Sequence, residues 1–122
     1  MLMLPPSVRI FFSAEPTDLR RSFDGLAALV REWLGEDPFS GHLFVFRNRP
    51  GDRIKILYWD RSGLCLFYKR LEKGTFRLPP SEGRPSVEIE CADMALILEG
   101  IDLKDAKRRP RFVPKMEARV MR

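Results

Sequence analysis

Between residues 39 and 76 the hydrophobic positions fall into three short runs, each about as long as an ordinary β-strand. Aromatic and branched residues dominate the runs, and Gly, Pro, Asp, Asn or Ser residues bound each of them. The strands are assigned to residues 42–48, 53–59 and 64–71. Because the two connections hold Pro and Gly residues that favour chain reversal, the pattern predicts a three-stranded antiparallel meander at the centre of the fold.

Alternation along these strands predicts which side chains share a face of the sheet. One face is expected to carry Phe44, Phe46, Ile54, Ile56, Tyr58, Cys65 and Phe67. The other is expected to carry Leu43, Val45, Leu57, Trp59, Leu64, Leu66 and Tyr68. Because both faces hold apolar residues, the meander needs a covering layer on each side.

A helix is predicted over residues 17–34, where apolar residues recur at spacings of three and four. Thr17 is the expected N-cap, and Asp18 would place a negative charge in the first turn. Gly35 is the expected C-cap. The apolar stripe, which should cover one face of the sheet, comprises Leu19, Phe23, Leu26, Ala27, Val30, Trp33 and Leu34.

Shorter elements flank this core. Strands are predicted at residues 7–12 and 87–90, and a second, short helix at residues 92–99. The order β-α-β-β-β-β-α describes an α+β domain: an antiparallel sheet of about five strands, one long N-terminal helix and a short C-terminal helix. We assign residues 1–103 to this single domain and residues 104–122 to a flexible tail.

The positive charge of the chain is concentrated in that tail. Residues 104–122 hold eight basic and two acidic residues, a net charge of +6, whereas residues 1–103 hold 14 basic and 15 acidic residues. A Pro-broken run of like charges of this kind commonly binds polyanions. We therefore expect the tail to add nonspecific DNA affinity.

Composition excludes some classes of protein. No apolar run approaches the length of a membrane helix, and no signal peptide is recognisable, so we expect a cytoplasmic chain with no membrane partner. Two widely spaced cysteines, Cys65 and Cys91, match neither a disulfide framework nor a zinc site. Both are expected to be structural free thiols.

Catalytic residues are also not evident. The carboxylates that paired metal ions would need are better explained as helix-terminal charge, ion-pair partners or turn formers, with Asp24 as the expected partner of Arg20. His42 has no evident Cys, Ser or Asp partner, and is expected at the surface or at a strand edge. The sequence predicts no enzyme and no cofactor.

Basic and aromatic residues favour a role with nucleic acid. Arg20 and Arg21 lie on the polar face of the predicted helix, and four further cations cluster around the first turn of the meander. The predicted nucleic-acid contacts are Arg20, Arg21, Arg47, Arg49, Arg53, Lys55, Lys107, Arg108, Arg109 and Arg111. The alternative is that the aromatic residues are core and that the charges are solvated.

Three segments, PFSGHLFVFR, GDRIKILYWD and GLCLFYKRLE, carry a family resemblance that extends over residues 6–103. In these the chain resembles the small accessory proteins, called TnpB, of the insertion-sequence sixty-six family of bacterial mobile elements. The resemblance implies a noncatalytic role in transposition, beside a transposase that supplies the catalytic acidic residues. The tail beyond residue 103 matches least.

The resulting prediction is a noncatalytic accessory protein that assists its transposase by protein contacts and nonspecific DNA binding. The alternative is a nucleic-acid-binding module or regulator that acts without the transposase. Trp59, Leu66 and Tyr68, expected on the sheet face that the first helix leaves uncovered, are the predicted partner contacts. Self-association would bury that face equally well.

Overall fold

The computed structural model describes residue 5 and residues 7–100. The predicted tail therefore lies outside the described residues. The described chain forms the strands β1 (Ile10–Ser13), β2 (Leu43–Arg47), β3 (Arg53–Trp59), β4 (Leu64–Arg70) and β5 (Ser86–Ile89). Helix α1 is an α-helix over Phe23–Leu29 that continues as a π-helix over Val30–Leu34, and helix α2 spans Cys91–Leu98.

All five strands join one sheet in the order β4-β3-β2-β1-β5. The meander of β2, β3 and β4 is antiparallel, as predicted. The prediction of a purely antiparallel sheet is wrong, because β1 pairs parallel with β2, with Ile10 opposite Leu43 and Phe12 opposite Val45. Parallel neighbours require a crossover connection, and α1 with its flanking turns provides it. The α+β class holds, but with a mixed sheet.

Helix α1 is shorter than predicted, because residues 17–21 form a turn instead of a first helical turn. The Thr17 N–H donates to the carbonyl oxygen of Arg47, and the Arg20 N–H donates to Asp18 Oδ1 at 3.0 Å. The helix begins only after Ser22. Its end is as predicted: Gly35 adopts the left-handed conformation, with φ of +69°, which glycine tolerates best.

Both faces of the sheet are covered, as the distribution of apolar residues predicted. The α1 face carries a buried cluster of Phe11, Leu19, Leu26, Ala27, Val30, Leu34, Phe44, Phe46 and Leu57. The α2 face carries Ile10, Phe12, Leu43, Val45, Ile54, Ile56, Phe76, Ile89, Met94, Ile97 and Leu98. Each cluster joins one sheet face to one helix, so two thin cores stabilise the fold.

The predicted faces were wrong for β2. Phe44 lies opposite Leu57, and Val45 lies opposite Ile56, so Phe44 and Phe46 share the α1 face with Leu57. The reason is the register: Asn48 donates its N–H to the carbonyl oxygen of Arg53 across the connection. A shift of one residue in register moves every side chain of a strand to the other face.

Candidate nucleic-acid interface

Lys55 is the member of the predicted basic set that the fold buries, with 8% of its surface exposed. Its Nζ donates to the carbonyl oxygens of Leu19 at 2.6 Å and of Arg21 at 2.9 Å. The same ammonium lies 4.9 Å from the centre of the Tyr68 ring. Burying a charge is costly unless it finds such partners. Lys55 therefore donates its hydrogen bonds to the protein itself and is not part of the exposed basic surface.

The consequence of this burial is the position of the turn before α1. Lys55 fixes the backbone of Leu19 and Arg21 above the α1 face, where the ring of Tyr68 also packs against the ammonium. The turn carries the side chains of Arg20 and Arg21, which are both exposed. The fold thereby brings the two predicted helix arginines to the end of the sheet where Arg53 lies.

Arg53 extends this basic region across the strands. It lies opposite Arg70 on β4, and its Nη1 donates to the Tyr68 hydroxyl at 3.3 Å. We call Arg20, Arg21, Arg53, Tyr68 and Arg70 the Tyr68 surface. Like charges on directly opposite strand positions are destabilising, and a bound anion would relieve that repulsion.

Exposure decides which side chains of the Tyr68 surface can reach a ligand. Tyr68 is 50% exposed, and the side chains of Arg20 and Arg70 are 91% and 55% exposed. Two of the arginines already have carboxylate partners: Arg20 pairs with Asp18 at 2.6 Å and Arg70 with Glu72 at 3.0 Å. Solvent-exposed pairs of this kind are weak, so a phosphate can compete for these guanidinium groups.

Hydrogen bonds also shift the pKa values of Asp18 and Arg53 at this surface. The side chain and backbone N–H of Arg20 lower the pKa of Asp18 from 3.8 to about 2. Arg20 therefore pairs with Asp18. The prediction that its partner is Asp24 was wrong. The hydrogen bond to Tyr68 raises the pKa of Arg53 above its ordinary value.

Arg70 was not among the nucleic-acid contacts predicted from the sequence. The signal was the connection after β3, where Asp60 Oδ1 accepts the backbone N–H groups of Ser62 and Gly63. This turn sets the hairpin register that places Arg70 opposite Arg53. The sequence analysis assigned no register to this hairpin, and assigning one would have identified the pair.

Arg47 and Arg49 do not join the Tyr68 surface. Arg47 is half-buried and lines a groove of about 430 Å³ together with Arg77, Pro50 and Phe76. Arg49 is exposed in the connection between β2 and β3, beside a smaller depression that Asp18 also lines. The predicted basic cluster around this connection is therefore divided between different parts of the surface. The four predicted tail contacts, Lys107, Arg108, Arg109 and Arg111, lie outside the described residues.

The predicted partner contacts lie on the α1 face. Leu66 is half-buried against the cluster that includes the helix, so the premise that α1 leaves this face uncovered is wrong. Trp59 is half-buried and meets Phe39 edge to face, with ring centroids 5.3 Å apart. Leu66 therefore serves the core, while Tyr68 and the Phe39–Trp59 pair border the surface.

Two residues of the predicted apolar stripe are exposed instead of buried. Phe23 is 43% exposed, and Trp33 is 50% exposed. Trp33 lies in the π-helical turn, whose wider winding moves a residue three positions after Val30 away from the sheet. Among the described residues, the large hydrophobic side chains that are exposed are Phe23, Trp33, Phe39 and Tyr68.

Asp52 and Asp60 have local hydrogen-bond partners. Asp52 Oδ1 accepts Asn48 Nδ2–H at 2.8 Å, and Asp60 accepts the backbone of its own turn. Nδ1 of His42 accepts the Arg9 N–H at 3.0 Å. Among residues 7–100 no three His, Cys, Asp or Glu side chains are grouped so that they could hold a metal ion.

The two cysteines are free thiols, Cys65 half-buried and Cys91 exposed. Burial and a hydrogen bond with Asp60 raise the pKa of Cys65, which makes it a poor nucleophile. Within the described range, none of the helices is long and apolar enough to span a bilayer.

Comparison with known proteins gives a family match. The family model described as IS66 Orf2-like protein, named TnpB for the insertion-sequence sixty-six family, matches residues 8–108. The uncharacterized protein y4jC of Sinorhizobium fredii is 39% identical over 110 residues, which cover 88% of this chain and 93% of that protein. The uncharacterized protein y4hO of the same organism is 42% identical over 102 residues, 82% of this chain and 88% of that protein. No solved structure matches the chain.

Proposed function

Because the chain belongs to the family of IS66 Orf2-like proteins, we propose that it is a noncatalytic accessory factor in transposition of such an element. In this role it binds the phosphate backbone of DNA and also binds the transposase of the same element. The cleavage and joining chemistry belongs to the transposase. We expect the protein to act in the cytoplasm, where the element's DNA is accessible.

The observation that carries the DNA-binding part is the Lys55 contact. By binding the carbonyl oxygens of Leu19 and Arg21, Lys55 holds two exposed arginines beside Tyr68 and Arg53. An exposed aromatic ring that contacts the Arg53 guanidinium, with three further exposed arginines on the neighbouring turn and on β4, matches the combination with which proteins bind nucleic-acid strands: cations for phosphates and an aromatic face for a base. The Tyr68 surface does not require a helix to enter a groove of the DNA and read the bases there, so we expect the binding to be nonspecific.

The tail adds to this binding by charge. Its net charge of +6 contrasts with the nearly neutral remainder of the chain. Lys107, Arg108, Arg109 and Arg111 are the proposed contacts. Each phosphate neutralised by a Lys or Arg releases counterions, which makes affinity fall with salt.

The experiment is a salt titration of binding to the element's terminal DNA and to unrelated DNA of equal length. We compare the wild type with the double variant Arg53→Gln and Arg70→Gln. The expected result is weaker binding to both DNAs and a salt slope reduced by about 2, since each lost phosphate contact removes about 0.9. The matched control, Arg31→Gln with Arg84→Gln, removes two exposed arginines elsewhere and should leave the slope unchanged.

Neutralising the four tail cations to Gln in the full chain should reduce the slope further. If the Arg53 and Arg70 double variant binds as the wild type does while the tail variant does not, the tail alone carries DNA binding. If neither set changes binding, the DNA-binding part of the proposal is wrong.

The transposase contact is proposed to involve the Phe39–Trp59 aromatic pair, since Phe39 is 50% exposed beside Trp59. Substitution Phe39→Ala should weaken capture of the purified transposase, whereas Phe23→Ala, also an exposed aromatic residue, serves as the control. Capture by the wild type that survives Phe39→Ala would exclude this pair. No capture by the wild type, with DNA binding intact, would favour a regulator that acts without the transposase.

A further inference from the structure

The outer edge of β4 is a long stretch of backbone that has no strand partner among the described residues. β4 is the last strand in the sheet order, and its seven residues are half-buried or exposed. The edge strand at the other side, β5, has four residues and carries the ion pair between Arg9 and Glu88. Short length protects an edge from further pairing, whereas β4 is the longer edge and carries no charged residue over positions 64–68, so β4 is the edge at which a strand can add.

The hairpin register fixes which backbone groups of β4 point outward. The Asp60 N–H donates to the Gly63 carbonyl, and the Leu71 N–H donates to the Asp52 carbonyl, so both are hydrogen-bonded pairs. Such pairs alternate with non-hydrogen-bonded ones along an antiparallel ladder. Positions 65, 67 and 69 therefore face β3. The N–H and C=O groups that point away from the sheet belong to Leu64, Leu66, Tyr68 and Arg70.

We propose that a second copy of this chain pairs with this edge, β4 against β4 in the antiparallel direction, about a twofold axis at Phe67. In this register Leu66 lies opposite Tyr68 of the partner subunit, and Leu64 lies opposite Arg70 of the partner subunit. These are the four outward-facing positions, so each outward N–H and C=O finds its complement. The contact uses the whole length of β4 and joins two five-stranded sheets into one.

The distribution of charge along β4 favours antiparallel pairing with a second copy of the same strand. The two cations of β4, Lys69 and Arg70, lie at one end, and Leu64–Phe67 carry no charge. Antiparallel pairing about Phe67 places the cations of the two copies at opposite ends of the contact, each beside an uncharged residue. A parallel pairing in register would instead set Lys69 against Lys69 and Arg70 against Arg70, which is destabilising. The edge is thus self-complementary in one orientation, as a twofold interface requires.

The dimer has a geometric consequence for DNA binding. Outward-facing positions of β4 all project their side chains to the α1 face, and a twofold axis perpendicular to the sheet keeps that face on the same side in both copies. The two Tyr68 surfaces would then lie side by side on one face of a continuous sheet. A dimer would therefore present two basic surfaces to one DNA segment.

The test compares the self-association of the full-length wild type, Tyr68→Pro and Tyr68→Thr by sedimentation equilibrium. Both variants lose the ring and the hydrogen bond from Arg53 to the hydroxyl, but only proline also loses the outward N–H, and neither loses a backbone hydrogen bond to β3. We expect the wild type and Tyr68→Thr to dimerise and Tyr68→Pro to associate at least about tenfold more weakly. A monomeric wild type at submillimolar concentration, or a folded Tyr68→Pro that dimerises as the wild type does, overturns the proposal.

Amide hydrogen exchange of the wild type provides a test that needs no variant. The amides of Leu66 and Tyr68 should become protected as the protein concentration rises, whereas the Phe67 amide, bonded to β3, should be protected throughout. Rapid exchange of Leu66 and Tyr68 at every concentration overturns the proposal. Protection that does not depend on concentration also overturns it, because another segment of the same chain would then cover the edge.

Discussion

Lys55 donates a hydrogen bond of 2.6 Å to the carbonyl oxygen of Leu19, across 36 residues of sequence. Through this hydrogen bond and a second one to the carbonyl oxygen of Arg21, the charged side chain of Lys55 on β3 fixes the turn that precedes α1. The contact explains why the helix starts late and why two arginines reach the end of the sheet.

The substitution Lys55→Met should destabilise the fold by about 2–3 kcal/mol, because it leaves the Leu19 and Arg21 carbonyl groups without their charged donor. Urea denaturation measures the change in the free energy of unfolding. Lys73→Met, in an exposed loop, is the control and should change it little. If Lys55→Met lowered the free energy of unfolding by less than about 0.5 kcal/mol, Lys55 would not be what holds this turn in place.

The lowered pKa of Asp18 predicts that this residue stabilises the fold by an amount that depends on pH. Its pKa is about 2 in the folded protein against an ordinary value of 3.8, so its hydrogen bonds with Arg20 stabilise the fold fully above that ordinary value. The contribution is lost as pH falls from about 4 to about 2. Unfolding measured across this range should show the difference between the wild type and Asp18→Asn shrinking toward low pH.

Arg20→Gln removes the largest cause of this shift, the side-chain hydrogen bonds, and keeps the backbone N–H of residue 20, so it supplies the control for the side-chain contribution. In the Arg20→Gln background, Asp18→Asn should change the pH dependence much less. An equal effect in both backgrounds would mean that the pKa of Asp18 is set by something other than the Arg20 side chain.

Gly35 ends α1 in the left-handed conformation, with φ of +69° and no heavy atom within 4 Å of an added Cβ. Gly35→Ala should therefore cost about 1 kcal/mol from backbone strain alone, without a steric clash. Gly63 also has open space but no positive φ, so Gly63→Ala is the matched control. Equal thermal stability of the two variants would contradict the strain argument.

The two thiols should react at different rates with a water-soluble disulfide reagent. Cys91 is exposed, whereas burial and the Asp60 hydrogen bond raise the pKa of Cys65. Near pH 8 we expect a fast phase that Cys91→Ser removes and a slow phase that Cys65→Ser removes. Asp60→Asn should speed the slow phase, since the thiolate then loses a nearby negative charge. A single rate for both thiols would contradict this assignment.

Local patterns carried the prediction of the elements. The meander connections fall at the predicted positions, with Gly51 left-handed in the first, and α1 ends at Gly35, because turns and caps depend on residues close in sequence. In the second connection the left-handed residue is Arg61 and not Gly63. The prediction was wrong at Thr17. Its N–H bonds Arg47, a residue whose proximity no local pattern indicates. The site was affected in the same way: Arg20, Arg21 and Arg53 were found as cations, but Arg70 was not assigned to them.

The sequence by itself determined the strands, the helix stop, the family and the charge of the tail, since each follows from neighbouring residues or from residue identity along the chain. Only the tertiary structure decided that β1 lies parallel to β2, that Arg53 lies opposite Arg70, and that Lys55 is buried. These depend on strand register and on backbone carbonyl groups distant in sequence. A carbonyl group is present at every residue, so the sequence carries no mark of which ones a buried ammonium will bind.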